Sequence, residues 1–387
     1  MLIYIRKNWH LVVLISLILS SCDSGVTPYS APPPAFQGAS RLSELLRADA
    51  DAGFPMVLDA REFRFPEDHG PHPAYRNEWW YFTGNLDAEN GARFGYELTI
   101  FRFALAVQDE HDTGSAWETD QVYIGHLAIT DTEQDEFHVA QRYSRGSAGL
   151  AGADGEPFHV WLDDWSVSAI ADTTGWRLRA ADADLELDLN LVPEKPVVLN
   201  GQNGLSQKSA EIGNASYYYS ISRLRSAGRL HIDGRQYSVS GLSWLDREWG
   251  SSSLSRNQQG WDWFSLQLSD GNDVMFYMLR GSDGMADEHS AGTWVDGAGR
   301  SSQLARDNIV IEVIDFWENE RGDRYPSAWN IDIADKDLSV TVTPVLDDQE
   351  LVTNVRYWEG AVDVAGKSRG ETISGRGYVE LTGYSNK

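Results

Sequence analysis

An aromatic segment that occurs twice constrains this chain most. Trp79-Trp80-Tyr81-Phe82-Thr83-Gly84-Asn85-Leu86 and Trp261-Asp262-Trp263-Phe264-Ser265-Leu266-Gln267-Leu268 both fit W-x-[YW]-F-[ST]-x-[NQ]-L, with their starts 182 residues apart. Solenoid repeats recur every ~20–50 residues, so this long period predicts two copies of one domain. Each copy runs into a turn containing Gly91 or Gly271 and then a second apolar run, as a hairpin would.

Strand signals dominate the rest. Leu185-Glu-Leu-Asp-Leu-Asn-Leu191 alternates strictly, with four Leu on one face and the polar residues on the other. Phe94–Phe103, Val122–Ile129, Tyr237–Trp244, Val274–Leu279, Ile309–Phe316 and Leu338–Val342 read as strands. Turn signals such as Asp233-Gly234 and Asp296-Gly297 separate the strand runs. Fifteen Trp and an aromatic fraction of 11% favour strands and large apolar interiors over helical bundles. The fold class is therefore all-β, with two tandem barrels. Closure removes exposed edges, and a barrel of about eight strands has room for one small ligand. The boundary falls near residues 250–256, which gives domains over 55–252 and 253–387. One short helix is expected over 41–53, and Gly146–Gly155 and Pro193–Gly213 read as loops.

The N-terminus reads as a targeting segment. Arg6 and Lys7 precede an apolar run, Leu11–Leu19, that is short for a membrane span. Leu19-Ser20-Ser21-Cys22 resembles a bacterial lipobox, which implies a signal peptide over 1–21 and lipidation of Cys22, the only Cys in the chain. Residues 22–54, with Pro32-Pro33-Pro34, then form a tether. The expected location is the periplasmic side of the cell envelope. Asp23 resembles an inner-membrane retention signal. A net charge of −26 argues against a nucleic-acid partner.

The segment Phe65-Pro-Glu-Asp-His-Gly-Pro-His-Pro-Ala-Tyr-Arg-Asn-Glu-Trp-Trp-Tyr-Phe-Thr-Gly-Asn-Leu86 resembles the signature of the carotenoid 1,2-hydratase/AttH-like family. Ser243-Trp-Leu-Asp-Arg-Glu-Trp-Gly250 and Gly260–Leu268 resemble its other two landmarks, in the same order. The resemblance covers roughly residues 60–385 and implies two tandem lipocalin-like (calycin) barrels. It also implies either a hydratase that adds water across an isoprenoid C=C bond, or a lipidated protein of the AttH-like branch, some of which accompany ABC transporters. The hydratase branch carries Tyr-x-Asp where this chain has Trp244-Leu245-Asp246, and His-x-Trp near Tyr217-Tyr218-Tyr219. Only the Asp carries over, which places the chain nearer the AttH-like branch.

Protonating an isolated C=C bond needs a carboxylic acid kept neutral by burial and a pocket that tolerates positive charge. Asp246, between Trp244 and Trp249, is the first candidate acid, and Asp262, between Trp261 and Trp263, the second. The competing readings are a charge network of Asp246, Arg247 and Glu248 at the domain junction, and an Asp262 that points outward while Trp261 and Trp263 point inward. Glu78 is a weaker candidate acid, or else the ion-pair partner of Arg76 or Arg102. Candidate ligand-binding residues are Trp79, Trp80, Tyr81, Tyr218, Trp244, Trp249, Trp261 and Trp263. Asp68-His69-x-x-His72 lies in a Gly/Pro-rich segment that suits a plug over the first barrel better than a metal site. No G-x-S-x-G elbow is present, and no metal or cofactor is expected. Two readings stand: a lipid-anchored binder of a hydrophobic molecule, isoprenoid or acyl lipid, that serves an ABC transporter; or a hydratase/lyase with Asp246 as proton donor.

Overall fold

The computed structural model describes residues 40–41, 53–107, 117–251 and 254–385. The signal segment, Cys22, most of the tether and nearly all of the expected helix over 41–53 lie outside these residues.

Strands form two large sheets, and helix is confined to short single turns among the described residues. Asn77–Ala88 pairs with Arg93–Ala104 on one side and with Arg235–Gly250, the last strand of the first sheet, on the other. Gln258–Leu268 repeats this arrangement: it pairs with Asp273–Gly281 and with Glu371–Leu381, the last strand of the second sheet. The chain passes from the first sheet to the second between Gly250 and Gln258. Each sheet curves around its own core, the pattern of a double lipocalin-like fold. Trp80, Phe82, Leu98, Trp165, Leu189 and Tyr219 belong to the first core. Phe264, Leu266, Trp329, Trp358 and Val379 belong to the second. Ser40–Arg41 adds a short parallel pairing to Val355–Ser368 in the second sheet.

The strands carrying the aromatic motifs are buried along nearly their whole length rather than on alternate residues. Such continuous burial means that both faces of the strand are covered. In each barrel the even-numbered residues of the aromatic strand, Phe82 and Leu86 or Phe264 and Leu266, fill the barrel. The odd-numbered ones face the other barrel. Tyr81, Tyr218, Trp244, Trp263, Met275, Tyr277 and Tyr378 form an apolar cluster between the barrels, and Phe101, Ile124, Leu351 and Tyr357 form another.

Polar contacts lock the junction. Asn85 Nδ2 donates to Gly377 O (3.0 Å). Its counterpart in the second copy, Gln267, donates through Nε2 to Ser222 O (2.8 Å) and Ser243 O (3.0 Å). The equivalent amides of the two copies thus each reach the other barrel's backbone. Asp273, fully buried, pairs with Lys195 (2.7 Å) and Arg223 (2.6 Å) of the first barrel.

Two segments read as loops are more ordered than expected. Ala151–Gly155 is a strand paired with Phe158–Leu162. Val198–Leu199 and Leu205–Gln207, within Pro193–Gly213, pair with Ala215–Ile232. That second segment forms a strap against the other barrel, where Asn200 Oδ1 accepts from Thr293 (2.8 Å) and Ser206 meets the Tyr277 hydroxyl (2.9 Å).

Candidate functional site

A narrow pocket opens between the barrels, with about 690 Å³ of empty space when its mouth is included. Its walls come from both copies of the aromatic segment: Trp79 and Tyr81 from the first, Trp261 and Trp263 from the second. Phe101, Tyr218, Tyr277, Leu279 and Tyr357 complete the apolar surface, and Lys208, Asp246, Glu248 and Glu380 supply the polar groups. A mostly apolar cleft with a few convergent polar groups is the usual form of a small-molecule site.

Asp246 lies at the centre of the polar groups. Its Oδ1 accepts from Ser220 Oγ (2.5 Å) and Trp244 Nε1 (2.7 Å), and its Oδ2 from the Tyr218 hydroxyl. Burial pushes its carboxyl up to about 6. The hydrogen bonds from Ser220, Tyr218 and Trp244 work against that rise, and the Glu248 charge adds to it. Burial and the Asp246 charge raise the Tyr218 phenol well above its ordinary value, so it stays a donor. Trp263 Nε1 in turn donates to the Tyr218 oxygen (3.2 Å). Glu248 accepts from Ser216 and pairs with Lys208 (3.0 Å). The Lys208 ammonium lies 4.3 Å from the Tyr277 ring centre and 5.1 Å from that of Tyr218. Burial opposes its charge, but Glu248 and Tyr277 hold it above the ordinary lysine value.

On the opposite wall, Tyr357 is oriented from the first barrel. The backbone N–H of Asn354 donates to Gln141 Oε1 (3.3 Å), which turns the amide nitrogen toward His126 Nε2 (2.8 Å). His126 therefore carries its proton on Nδ1 and donates it to the Tyr357 hydroxyl (2.7 Å). Burial pushes His126 down to about 3, so the ring is neutral.

Alternation along the strands sorts the residues singled out from the sequence. Trp79, Tyr81, Tyr218, Asp246, Trp261 and Trp263 meet at the pocket. Trp244 is buried behind Asp246 as its hydrogen-bond donor and is absent from the pocket wall. Trp80 and Trp249 belong to the first barrel's interior instead: the Arg247 guanidinium lies 4.1 Å from the Trp80 ring centre, and His72 stacks on Trp249 at 3.7 Å. Neighbouring strand residues point to opposite faces, so Trp79 and Trp80 could not both reach one cavity.

The same rule moves two candidate acids away. Glu78 is fully buried in the first barrel and paired with both Arg102 and Arg247. Burial disfavours its charge, but the two guanidinium groups outweigh it and hold the carboxyl far below the usual range. Asp262 pairs with Arg280 (2.9 Å) and accepts from the Tyr384 hydroxyl (2.9 Å). Trp261 and Trp263 thus face the first barrel rather than their own interior. His69 and His72 belong to a plug over the first barrel. His69 Nδ1 meets the Tyr219 hydroxyl (2.6 Å), and His72 bridges Asp68 (3.0 Å) and Glu78 (3.4 Å).

Sequence reasoning missed Lys208, Glu248 as a pocket group, Tyr277, Tyr357 and Glu380. Glu380 carried one signal: Tyr378-Val379-Glu380 repeats the aromatic–aliphatic–acid order of Trp244-Leu245-Asp246. Lys208 carried none, because it sits on a segment whose sequence resembles a loop.

No curated protein matches the sequence. Among solved structures, the chain is similar to a Nitrosomonas europaea protein assigned as AttH, at 33% identity and a TM-score of 0.76, over 86% of this chain and 100% of that one. It shares its fold with kievitone hydratase from Nectria haematococca, at 15% identity and a TM-score of 0.64, over 88% and 98% of the two chains. The AttH-like family model matches residues 56–384, and the chain belongs to that family.

Proposed function

We propose that this protein binds a hydrophobic small molecule, an isoprenoid or acyl lipid, in the pocket between its two barrels. The observation that carries this reading is the convergence of both aromatic copies on one cavity. The outward positions Trp79, Tyr81, Trp261 and Trp263 wall the same space, with the Asp246 carboxyl exposed to it. Barrel interiors filled by Trp80, Phe82, Trp329 and Trp358 leave the junction as the better receptacle. An anchor at Cys22 would hold the pocket at the membrane surface on the periplasmic side, where a transporter of the ABC type could deliver or collect the ligand. The test is native mass spectrometry of protein purified from its own host, followed by organic extraction. One co-purifying lipid or isoprenoid is the expected result. Protein that is empty and also fails to bind the apolar probe N-phenyl-1-naphthylamine would contradict it.

A second reading, a hydratase or lyase acting on an isoprenoid C=C bond, is favoured by one observation. Asp246 is a buried carboxyl pushed up to about 6 inside an aromatic enclosure, as proton transfer near a developing cation requires. Kievitone hydratase shows that this fold accommodates a hydratase. Loss of an assayable conversion in Asp246→Asn, with ligand binding retained, is the expected result. Unchanged conversion would remove this reading.

A further inference from the structure

The two barrels present matching carboxyl groups to one pocket. Asp246 lies opposite Tyr81 in the pairing of the first barrel's last and aromatic strands. Glu380 lies opposite Trp263 in the same pairing of the second. The internal repeat that places Tyr81 and Trp263 in equivalent positions therefore does the same for Asp246 and Glu380, and both line the cavity.

Their surroundings differ. Asp246 receives three donors, from Ser220, Trp244 and Tyr218, and such donors stabilise a carboxylate. Glu380 is more than nine-tenths buried, and its Oε1 has no partner. The groups facing it are mostly acidic. Glu359 is its neighbour across the strand pair, and its Oε1 accepts from the Tyr81 hydroxyl (2.5 Å). Glu97, fully buried, approaches from the first barrel, and Asp246 and Glu248 line the same pocket with their charges acting on Glu380. Lys208, the one cation among the described residues that line the pocket, is paired with Glu248.

We propose that Glu380 is the proton donor of this pocket and Asp246 its ionised counterpart, one carboxyl from each barrel. The proposal rests on the reading that the pocket takes a ligand, and it reassigns the acid from Asp246 to Glu380. Burial, a hydrogen bond from Trp261 that opposes it, and the Asp246 and Glu248 charges together leave Glu380 at about 8, above Asp246 at about 6. Two groups pushed apart in this way are suited to opposite roles near neutral pH. With an alkene in the pocket, the Glu380 O–H bond breaks and the π pair forms a C–H bond. The adjacent cationic carbon then bonds to water, whose released proton passes to the Asp246 carboxylate. Without water, Asp246 takes a neighbouring C–H proton and the double bond moves. In each case one proton leaves Glu380 and one arrives on Asp246, and exchange through the open mouth restores the pair.

Infrared difference spectroscopy of the purified protein at pH 7 tests this without a ligand. Glu380→Gln should lose one protonated-carboxyl C=O band, and Asp246→Asn should lose none. Glu97 and Glu359, buried and pushed well above the ordinary carboxylate value, keep their own bands in both variants. An unchanged set of bands in Glu380→Gln, or a band lost in Asp246→Asn, would overturn the assignment. If Glu380→Gln does not fold, Glu380→Asp supplies the same readout as a shift of the Glu380 band. Geranylgeraniol in D2O then tests the donor role: deuterium incorporation at an alkene carbon should fall on the order of a hundredfold in Glu380→Gln. Bound probe that gains no deuterium in the unmodified protein would overturn the donor role. A pocket that takes no probe would defeat the ligand reading instead, while the band still decides where the proton resides.

Discussion

Two buried acids in this chain have opposite fates because their partners differ. Glu78 has two guanidinium groups; Asp246 has neutral donors and a nearby Glu248. Glu78→Gln leaves Arg102 and Arg247 buried without a counter-charge and should cost about 3–5 kcal/mol in urea unfolding at pH 7. Glu78 is held below its unfolded value, so its contribution is present at neutral pH and is lost as pH falls through the acid range. Asp246 runs the other way. With its folded value raised to about 6 from 3.8, the unfolded state releases its proton first, and this residue's contribution falls as pH rises from about 4 to about 6. Asp246→Asn should therefore flatten the decline of stability over that window. A variant whose pH–stability curve parallels the parent's would show that Asp246 is an ordinary ionised carboxylate. The sequence already displayed both motifs, Asn-Glu-Trp-Trp-Tyr and Trp-Leu-Asp-Arg-Glu-Trp. What it could not display is that consecutive letters serve two places: Glu78, Trp80, Arg247 and Trp249 the barrel, and Trp79, Tyr81, Asp246 and Glu248 the pocket. Period-2 geometry makes that division once both faces of the strands are known to be covered.

At the level of elements, the aromatic strands do two jobs, and their repeat pattern records both. The recurring Asn85/Gln267 position is polar because each amide reaches a carbonyl of the opposite barrel. Gln267→Ala leaves Ser222 O and Ser243 O without this donor and should destabilise the protein by about 1–3 kcal/mol, measured by denaturant midpoint. No effect would mean that water replaces the amide and that the junction is wet. The strap over Pro193–Gly213 resisted sequence reading because Gly201, Gly204 and Gly213 occupy left-handed conformations, so its composition is that of a turn-rich loop. Yet it carries Lys195 and Lys208 to the second barrel's side of the molecule. Its position is a consequence of tertiary contacts, and no local pattern encodes those.

For the whole molecule, the fold class was legible because a long-period repeat, alternating Leu and turn residues all agreed. The site was only half legible, since a junction depends on which outer faces meet. Buried apolar clusters, amides and the Asp273 ion pairs join the barrels, so thermal unfolding should show one transition rather than two. Separate transitions would mean that the junction is weak and its pocket transient. The most direct test of the account is photo-crosslinking with a diazirine-bearing isoprenoid or fatty acid, with adducts mapped by mass spectrometry. Adducts confined to the segments carrying Trp79, Tyr81, Tyr218, Trp261 and Trp263, and competed by unlabelled ligand, are the predicted result. Adducts on barrel-interior segments such as those of Trp329 or Leu189, or labelling scattered over the surface, would contradict a binding pocket between the barrels.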